Sequence, residues 1–566
     1  MTTTAGRVES NISAWGFTAG LAVILAVYLG VQLAYAKWIP LNVDEFHGTK
    51  EVLRLLDEVP YRDYRPYKTV LGYYLQLPPL LLGFTGWQGL VAVKLYLALM
   101  NVGLLGVLAW RLARLFRREA VLLSVGLMTV TTTFLERSAE IRVDMMTSWI
   151  GLGVLLALMG GSVGVAGFLA GVGFLVSQKA AFFLSSGGLA LVVVGWRNGG
   201  MGHAGRSLMR FVAWAALPIA AYLAMWGAIG GVEAVLEPTF GGAAGVALRD
   251  VYDGLRISWV ISGLRNPLFW GLAIAGLYTA GRSALITRQT ASRRKAAADP
   301  RASLAVFALA LGLQAGLYSE PWPYFILIVV PTAGVLVASL LDDILLSGTH
   351  RLGLSRGWGV TFALLGVLYP GLAFTEHSVR SNDYQRENFV MARALLGPGD
   401  SYWAGANALY DRDQIGELGW LDQYNRVALR QRSVAEHRRI VQRMAAAPPR
   451  VLLHNYRLSD LPEAFGEFIS RNYEPLWGSV WIYSPSRDAE SDSVSVGLDG
   501  TYELVGPDSQ LEVGGERYGE GAAIQLSAGK YGLDGPAFAR LRWRAAEDAR
   551  VVLRTPVEAR EFFQVR

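Results

Sequence analysis

Long apolar runs alternate with short polar stretches from the start of the chain to Thr375. An α-helix needs about 17–25 apolar residues to cross a bilayer. The pattern predicts about eleven such spans: 17–38, 88–110, 120–134, 145–160, 163–177, 181–196, 211–230, 258–280, 302–318, 323–341 and 358–375. The first run is too long for the core of a signal peptide and lacks a small-residue cleavage site, so we expect it to be retained as a helix.

Composition supports a multi-pass membrane protein. Hydrophobic residues make up 52% of the 566 residues and charged residues 17%, and the mean hydropathy is +0.31. The chain has no cysteine, which excludes disulfides, thiolate metal sites and a cysteine nucleophile. The net charge of +6 could suggest nucleic acid, but the basic residues fall mainly in short loops between apolar runs. We therefore expect membrane lipids, and no nucleic acid, as partners.

The basic loops also predict the orientation of the chain. They lie at 111–118, 197–210, 282–295 and 351–356, all on the side that holds the N-terminus, so that side is predicted to be cytoplasmic. A further apolar stretch, 69–84, is short and contains Pro78-Pro79. If it crossed the membrane, every later basic loop would change sides. We therefore predict that 40–87 is one long outer loop with helices along the membrane surface.

The polypeptide after Thr375 has the composition of a soluble α/β domain, predicted to be extracytoplasmic. Residues 376–487 contain a predicted strand at 450–455, a short helix at 465–473 and a strand at 480–483. The polar stretch 488–495 is typical of a linker. Beyond it, 496–566 carries short alternating runs between Gly and Asp turns, which predict a small β-sandwich; these runs lie at 500–504, 523–526, 539–543 and 551–553.

Acidic residues gather at the predicted outer face. Asp44 and Glu45 follow the first helix directly, and Glu140 and Asp144 lie between two later spans. Carboxylates near hydrocarbon are costly unless they face water, a partner charge or a substrate. Asp44 and Glu45 either cap a helix or include a general base that takes a proton from an attacking hydroxyl.

Three cations accompany these acids. Arg142 either pairs with a neighbouring acid or binds an anionic ligand, for which its fork of donors is suited. Lys68 and Lys179 lie at predicted membrane boundaries, where a lysine usually anchors its chain at the interface. Several cations directed at one acid-lined cavity fit a phosphate better.

Other polar and aromatic residues extend the predicted site. His47 has no second histidine at ligand spacing, so polar lining is a better interpretation than metal ligation. Glu320 to Tyr324 forms a stiff Pro-containing turn whose aromatics suit a membrane-interface belt or a sugar face. The sequence has no P-loop, no dinucleotide-binding glycine motif, no HExxH and no GxSxG elbow. An enzyme with its acids outside the cytoplasm needs a donor delivered through the membrane, and a polyprenyl-phosphate sugar meets that need.

In their order along the chain, these motifs resemble the C-type glycosyltransferase membrane fold, especially the lipid A aminoarabinose transferases and protein O-mannosyltransferases. Asp44-Glu45 resembles the first-loop acidic motif, and Arg142-Val143-Asp144 resembles the second-loop acid with its arginine. The stretch from Tyr67-Lys68-Thr69 to Pro78-Pro79 is similar to the loop that contacts donor phosphate. Ser177-Gln178-Lys179 resembles the short lysine turn, although the usual Lys-Gly-Pro is absent.

The resemblance implies an inverting sugar transfer from a polyprenyl monophosphate donor to an envelope lipid, glycan or protein at the outer face of a bacterial inner membrane, an EC 2.4 activity. Asp44, Glu45 and Asp144 would be the catalytic acids, with Asp44 as the base. Lys68, Arg142 and Lys179 would bind the donor phosphate. The sugar or acceptor would be lined by His47, Tyr64, Tyr67, Glu140, Glu320 and Tyr324. A divalent ion stays open as a cofactor, since some relatives of the wider fold use one.

Two other classes of protein compete with this interpretation. A transporter or flippase for a lipid-linked glycan would use the same cationic cavity without chemistry, but transporters often show repeats and charges deep within their spans. Here the charges gather at one face. A noncatalytic envelope scaffold would not need acids and cations concentrated in its membrane loops.

Overall fold

The computed structural model describes residues 12–241, 257–286, 300–319, 321–347, 368, 370–416, 418–488, 490–544 and 561–563. The chain divides into two compact units. The helical unit comprises Met1–Trp38, Glu51–Phe84 and Val91–Arg380, and the mixed unit comprises Ile39–Lys50, Thr85–Leu90 and Ser381–Arg566. Each unit is described by itself.

Most helices between Ala14 and Ser347 are apolar along their whole length, as expected for segments surrounded by lipid or by other helices. In chain order they are α1 Ala14–Trp38, α2 Val43–Asp57, α3 Leu71–Tyr74, α4 Pro78–Leu81, α5 Gly86–Leu112, α6 Arg118–Val130, α7 Thr132–Arg137, α8 Asp144–Met159, α9 Val163–Val176, α10 Ala181–Gly230, α11 Val232–Leu236, α12 Ile257–Arg265, α13 Pro267–Ile286, α14 Pro300–Leu317 and α15 Val330–Ser347. Short 3₁₀ helices cover Gln178–Ala180 and Pro323–Ile328.

Within the described residues, four helices are long and apolar enough to cross a membrane, or five if the bent pair α12–α13 counts as one. The angle within that pair is 102°. Helices α8 and α9 are apolar but shorter. The predicted span 358–375 lies largely outside the described residues. The helical character of the chain is therefore confirmed, and the number of about eleven spans stays a prediction.

Two of the predicted spans, 181–196 and 211–230, fall within the single element α10. The backbone of α10 is broken at Gly200, whose φ of 75° and ψ of −178° are not helical. A positive φ is strained for residues with a Cβ and is readily adopted by glycine. The break gives the two halves of α10 separate directions, as two spans joined by a short connection require.

The mixed unit contains an α/β layer built on a four-stranded sheet with order β1-β2-β4-β3. Strand β1 is parallel to β2, whereas the β2–β4 and β3–β4 pairs are antiparallel. The strands are β1 Tyr402–Trp403, β2 Val451–Leu453, β3 Tyr473–Trp477 and β4 Val480–Tyr483. The helices of this layer are α16 Asp383–Leu395, α17 Gln423–Arg430, α18 Val434–Ala446, α19 Tyr456–Ser459 and α20 Glu463–Asn472.

Two smaller antiparallel sheets follow, with orders β5-β10-β7-β8 and β11-β6-β9. Their strands are β5 Ser493–Val496, β6 Gly500–Val505, β7 Gln510–Val513, β8 Glu516–Gly519, β9 Ala523–Leu526, β10 Gly529–Asp534 and β11 Arg540–Trp543. The predicted run 551–553 lies outside the described residues. Strand β5 begins inside the stretch interpreted as a linker, because Val494 and Val496 are buried between polar serines.

One hydrophobic core serves both parts of the mixed unit. It joins Trp403 and Leu452 of the α/β layer to Tyr502 and Trp543 of the two smaller sheets. Buried aromatic rings continue between the layers, with the Tyr483 and Tyr502 centroids 6.4 Å apart. The domain bounds 376–487 and 496–566 stay a prediction.

Candidate functional site

Asp144 is the first residue of α8 and is buried, with 3% of its surface exposed. Its Oδ2 accepts a hydrogen bond from Arg142 Nε at 3.0 Å, and its Oδ1 accepts one from Lys179 Nζ. Asp144 lies just outside the predicted span 145–160. Burial alone would raise its pKa, but the charges of Lys179 and Arg142 hold the pKa well below its usual value. This carboxylate is therefore ionised and is a poor proton acceptor.

An aromatic ring completes the group. The guanidinium carbon of Arg142 lies 3.3 Å from the centroid of the Tyr324 ring, and Lys179 Nζ lies 4.7 Å from the same centroid. Cations over aromatic faces are attracted by the ring quadrupole. Tyr324 belongs to the 3₁₀ helix that begins at Pro323, and this proline presets the backbone at the start of that turn. Glu320, predicted in the same turn, lies outside the described residues.

Lys68 also acts on this group through its charge. Its positive charge contributes to the low pKa of Asp144, and its Nζ lies 5.4 Å from the ring centroid of Tyr67. The segment that carries it packs closely on the other two turns. A Cβ added to Gly72 would lie 2.5 Å from Val143 Cγ1 and 2.7 Å from the Val176 carbonyl oxygen. Gly72 thus allows the backbone of α3 to approach the turns that hold Arg142 and Lys179.

A polar network inside the helical unit positions the turn before Asp144. Asn101 Nδ2 donates to the Ser138 carbonyl at 2.8 Å and to Tyr28 Oη at 3.1 Å. Trp149 Nε1 donates to Asn101 Oδ1 at 2.8 Å, so α8 is tied to the same network. Nearby, Glu140 is buried and forms an ion pair with Arg137. The charge of Glu140 is therefore opposed by Arg137.

Asp44 and Glu45 belong to the mixed unit, in the first turn of α2. Asn42 Oδ1 accepts the backbone N–H groups of Asp44 and Glu45 at 3.0 and 3.1 Å, and Glu45 Oε2 accepts the Asn42 N–H at 3.0 Å. This is the reciprocal arrangement of a capping box. Glu45 is buried, with 1% exposed, and closes the cap with its carboxylate. Asp44 contributes its backbone N–H and is only half-buried.

His47 lies one turn further along α2. Asn407 Nδ2 is 2.8 Å from His47 Nδ1, and the His47 and Trp420 ring centroids are 4.4 Å apart. Gln414 Nε2 in turn donates to Asn407 Oδ1 at 2.8 Å. These contacts fit the interpretation of His47 as polar lining. The sequence pattern carried no signal for Asn407 or Trp420, because both are far from His47 along the chain.

Metal binding has no cluster to support it in the described part of the chain, where no three His, Asp or Glu side chains gather. Both oxygens of Asp144 are engaged by cations. Four predicted site residues are therefore brought into contact, namely Arg142, Asp144, Lys179 and Tyr324, and Lys68 acts on them electrostatically. Three cations, Lys68, Arg142 and Lys179, therefore act on the single carboxylate of Asp144.

The fold is that of the C-type membrane glycosyltransferases, in agreement with the resemblance seen in the sequence. Solved structures similar to this chain include ArnT from Cupriavidus metallidurans. Its apo state has a TM-score of 0.56 and 16% identity, covering 82% of this chain and 98% of that chain. The same protein bound to undecaprenyl phosphate has a TM-score of 0.55 and 15% identity, covering 83% of this chain and 98% of that chain.

A weaker similarity, with a TM-score of 0.47 and 11% identity, links the chain to the Archaeoglobus fulgidus oligosaccharyltransferase AglB, solved with an inhibitory peptide and a dolichol-phosphate; it covers 91% of this chain and 75% of that chain. No family model matches the sequence, and no curated protein matches it either. The similarity to ArnT, at 16% and 15% identity, is one of fold.

Proposed function

We propose that the protein is an inverting glycosyltransferase that moves a sugar from a polyprenyl monophosphate to an acceptor of the cell envelope. The observation that carries the proposal is the cation group around Asp144. Three cations there surround one carboxylate, and the chain is similar in fold to ArnT, a protein solved with undecaprenyl phosphate bound.

The three cations match the charge of the departing lipid phosphate better than the charge of the intact donor. A polyprenyl-phosphate sugar is a phosphodiester with one negative charge, whereas the departing phosphomonoester carries about −1.5 to −2 near neutral pH, as other phosphomonoesters do. Lys68, Arg142 and Lys179 therefore bind the phosphate more strongly as the bond breaks. Interactions that strengthen toward the transition state are those that accelerate a reaction. Tyr324 and Asp144 hold Arg142 and Lys179 in place.

Asp44 is the proposed base, because of its position directly after the first helix and because the residue is not fully buried. It takes the proton from the acceptor hydroxyl while that oxygen forms a bond to the anomeric carbon. The bond from that carbon to the phosphate oxygen breaks, and its electron pair leaves with the lipid phosphate. Attack from the face opposite the phosphate inverts the anomeric centre. Asp144 cannot share this role because its pKa is held low.

Replacing Asp44 by Asn tests the proposal. The variant keeps the size and most hydrogen bonding of the side chain, so folding and binding of the lipid donor should persist. Turnover of a polyprenyl-phosphate sugar should fall by about 10²–10⁴-fold, the usual contribution of a general base. Turnover is measured with purified protein and a panel of such donors.

Glu45→Gln is the matched control, because Gln also serves in a capping box and the cap around Asn42 should survive. We expect its turnover to stay near that of the parent. Full turnover by well-folded Asp44→Asn rejects the base assignment. Passage of intact lipid-linked glycan across vesicles containing Asp44→Asn would instead support a transporter.

A further inference from the structure

Glu51 is a buried carboxylate in the helical unit, two turns after Asp44 on α2. Only 5% of its surface is exposed, and Arg54 Nη1 lies 4.0 Å from its Oε1. The same arginine makes a closer contact with Glu58, at 2.6 Å, at a more exposed position. Arg54 therefore contacts both acids. The carboxylate of Glu51 places two hydrogen-bond acceptor oxygens in this buried region.

Three polar side chains of the segment 64–76 are buried and lack hydrogen-bond partners within the described residues. Tyr64, whose ring centroid lies 3.6 Å from the Arg54 guanidinium carbon, is 8% exposed and its hydroxyl makes no hydrogen bond. The Thr69 hydroxyl and both polar atoms of the Gln76 side chain share this property. Buried polar groups in native proteins nearly always have partners. Three exceptions in one short segment point to a polar ligand.

The same segment adjoins the cation group. Gly72 packs against Val143, the residue between Arg142 and Asp144. Tyr73 follows Gly72 and is buried; burial raises the pKa of its hydroxyl, Glu51 raises that pKa further and Arg142 lowers it. Tyr73 therefore stands within electrostatic reach of Glu51 and of Arg142. The segment with the orphaned polar groups thus lies against the turn that carries Arg142, and Tyr73 of that segment senses the charges of both Glu51 and Arg142.

We propose that Glu51, together with Tyr64, Thr69 and Gln76, binds the hydroxyl groups of the donor's sugar. This inference rests on the proposed function and adds to it the group that recognises the sugar. An ionised carboxylate only accepts hydrogen bonds, so it selects hydroxyl donors and repels phosphate. The amide of Gln76 and the hydroxyls of Tyr64 and Thr69 can both donate and accept, as sugar hydroxyls do. The cations would thus bind the phosphate of the donor, and Glu51 with the three polar side chains would bind its sugar.

The test compares two lipids on the full-length protein: undecaprenyl phosphate without a sugar, and a panel of undecaprenyl-phosphate pentoses and hexoses. Glu51→Gln should weaken binding of the best sugar-bearing lipid by about 10- to 100-fold, since a hydrogen bond to a charged group is lost. Binding of the bare lipid should be unchanged or slightly tighter, because one negative charge is removed. Glu58→Gln is the matched control, because Glu58 directly follows α2 and contacts the same arginine; it should change neither affinity.

The inference would be overturned if Glu51→Gln bound each lipid as tightly as the parent does. The same conclusion would follow if the variant lost the same factor of affinity for both lipids. It would also be overturned if the parent bound no sugar-bearing lipid more tightly than the bare lipid. A parent that binds neither lipid contradicts the proposed function itself, so the two failures are distinguishable. Tyr64→Phe provides the same test if Glu51→Gln does not fold, because it removes only a hydroxyl and should show the same selective loss.

Discussion

At the scale of single residues, carboxylates that all lie near the ends of apolar runs have different surroundings and therefore different roles. Asp144 is buried between Arg142 and Lys179, which keeps it ionised. Glu45 closes a helix cap and Glu140 forms a pair with Arg137. Asp44 lies at the same helix start and is half-buried. Their surroundings, rather than their residue type, separate structural acids from candidate acids of the reaction.

Replacing Asp144 by Asn should be strongly destabilising, by about 3–5 kcal/mol, because two neighbouring cations would lose their shared partner. Its folded-state pKa lies below the unfolded value of about 3.9, so the stabilising contribution is complete above that pH. As the pH falls below about 4, the contribution is progressively lost. The difference in unfolding free energy between parent and variant should therefore be constant from about pH 5 to 8. Chemical unfolding in detergent measures it, and a difference that grows on acidification would contradict the assignment.

The residues that sequence reasoning found are those with several signals at once. Arg142, Asp144 and Lys179 combined charge, nearness to apolar runs and a common predicted side. Glu51 was missed because a glutamate three residues before an arginine is typical of an exposed helical ion pair. Gln76 and Thr69 carry no charge, and their interest comes only from burial without partners. Such a property depends on tertiary packing and has no pattern in the sequence.

At the scale of elements, short segments with clear periodicity were predicted well. The strands expected at 480–483, 500–504 and 523–526 are found as β4, β6 and β9. The linker expected at 488–495 was partly wrong, because the four residues of β5 alternate too briefly to be distinguished from a polar loop. The bend between α12 and α13 was not foreseen; the 258–280 run is apolar over most of its length and only Pro267 marks the break.

The close packing of α3 against the turns that hold Arg142 and Lys179 can be tested directly. In Gly72→Ala the new Cβ would lie 2.7 Å from the Val176 carbonyl oxygen, which is a steric clash. The α3 segment must then move away, at a cost of about 1–3 kcal/mol, and we expect donor binding to fall with it. The change in thermal unfolding and in affinity for polyprenyl phosphate checks this. Gly103→Ala in α5, where an added Cβ meets nothing within 4 Å, should leave both unchanged.

At the scale of the whole molecule, the sequence pattern anticipated the type of fold because membrane helices must be long and apolar. Their number and arrangement depend on kinks and on contacts that hydropathy does not encode. Gly200 shows this, since one positive φ decides whether α10 forms a single rod or two helices. The orientation of the chain in the membrane rests on the basic loops and stays a prediction.

Orientation can be measured with single cysteines, because the chain has none of its own. Ser495→Cys is exposed on β5 and should react with an impermeant thiol reagent in intact cells whose outer membrane has been made permeable. Gly205→Cys, in a predicted cytoplasmic loop and exposed, should react only after lysis. The reverse pattern would place the C-terminal domain in the cytoplasm and exclude an extracytoplasmic transferase.

The three cations around Asp144 have a kinetic consequence beyond bond breaking. A site that favours a phosphomonoester over a phosphodiester also retains the spent lipid more firmly than the loaded one. Release of that carrier into the bilayer would then limit turnover. The carrier would act as a competitive inhibitor whenever it accumulates nearby. The rate of the protein would therefore depend on how quickly the membrane reclaims its used carrier, as much as on the supply of charged donor.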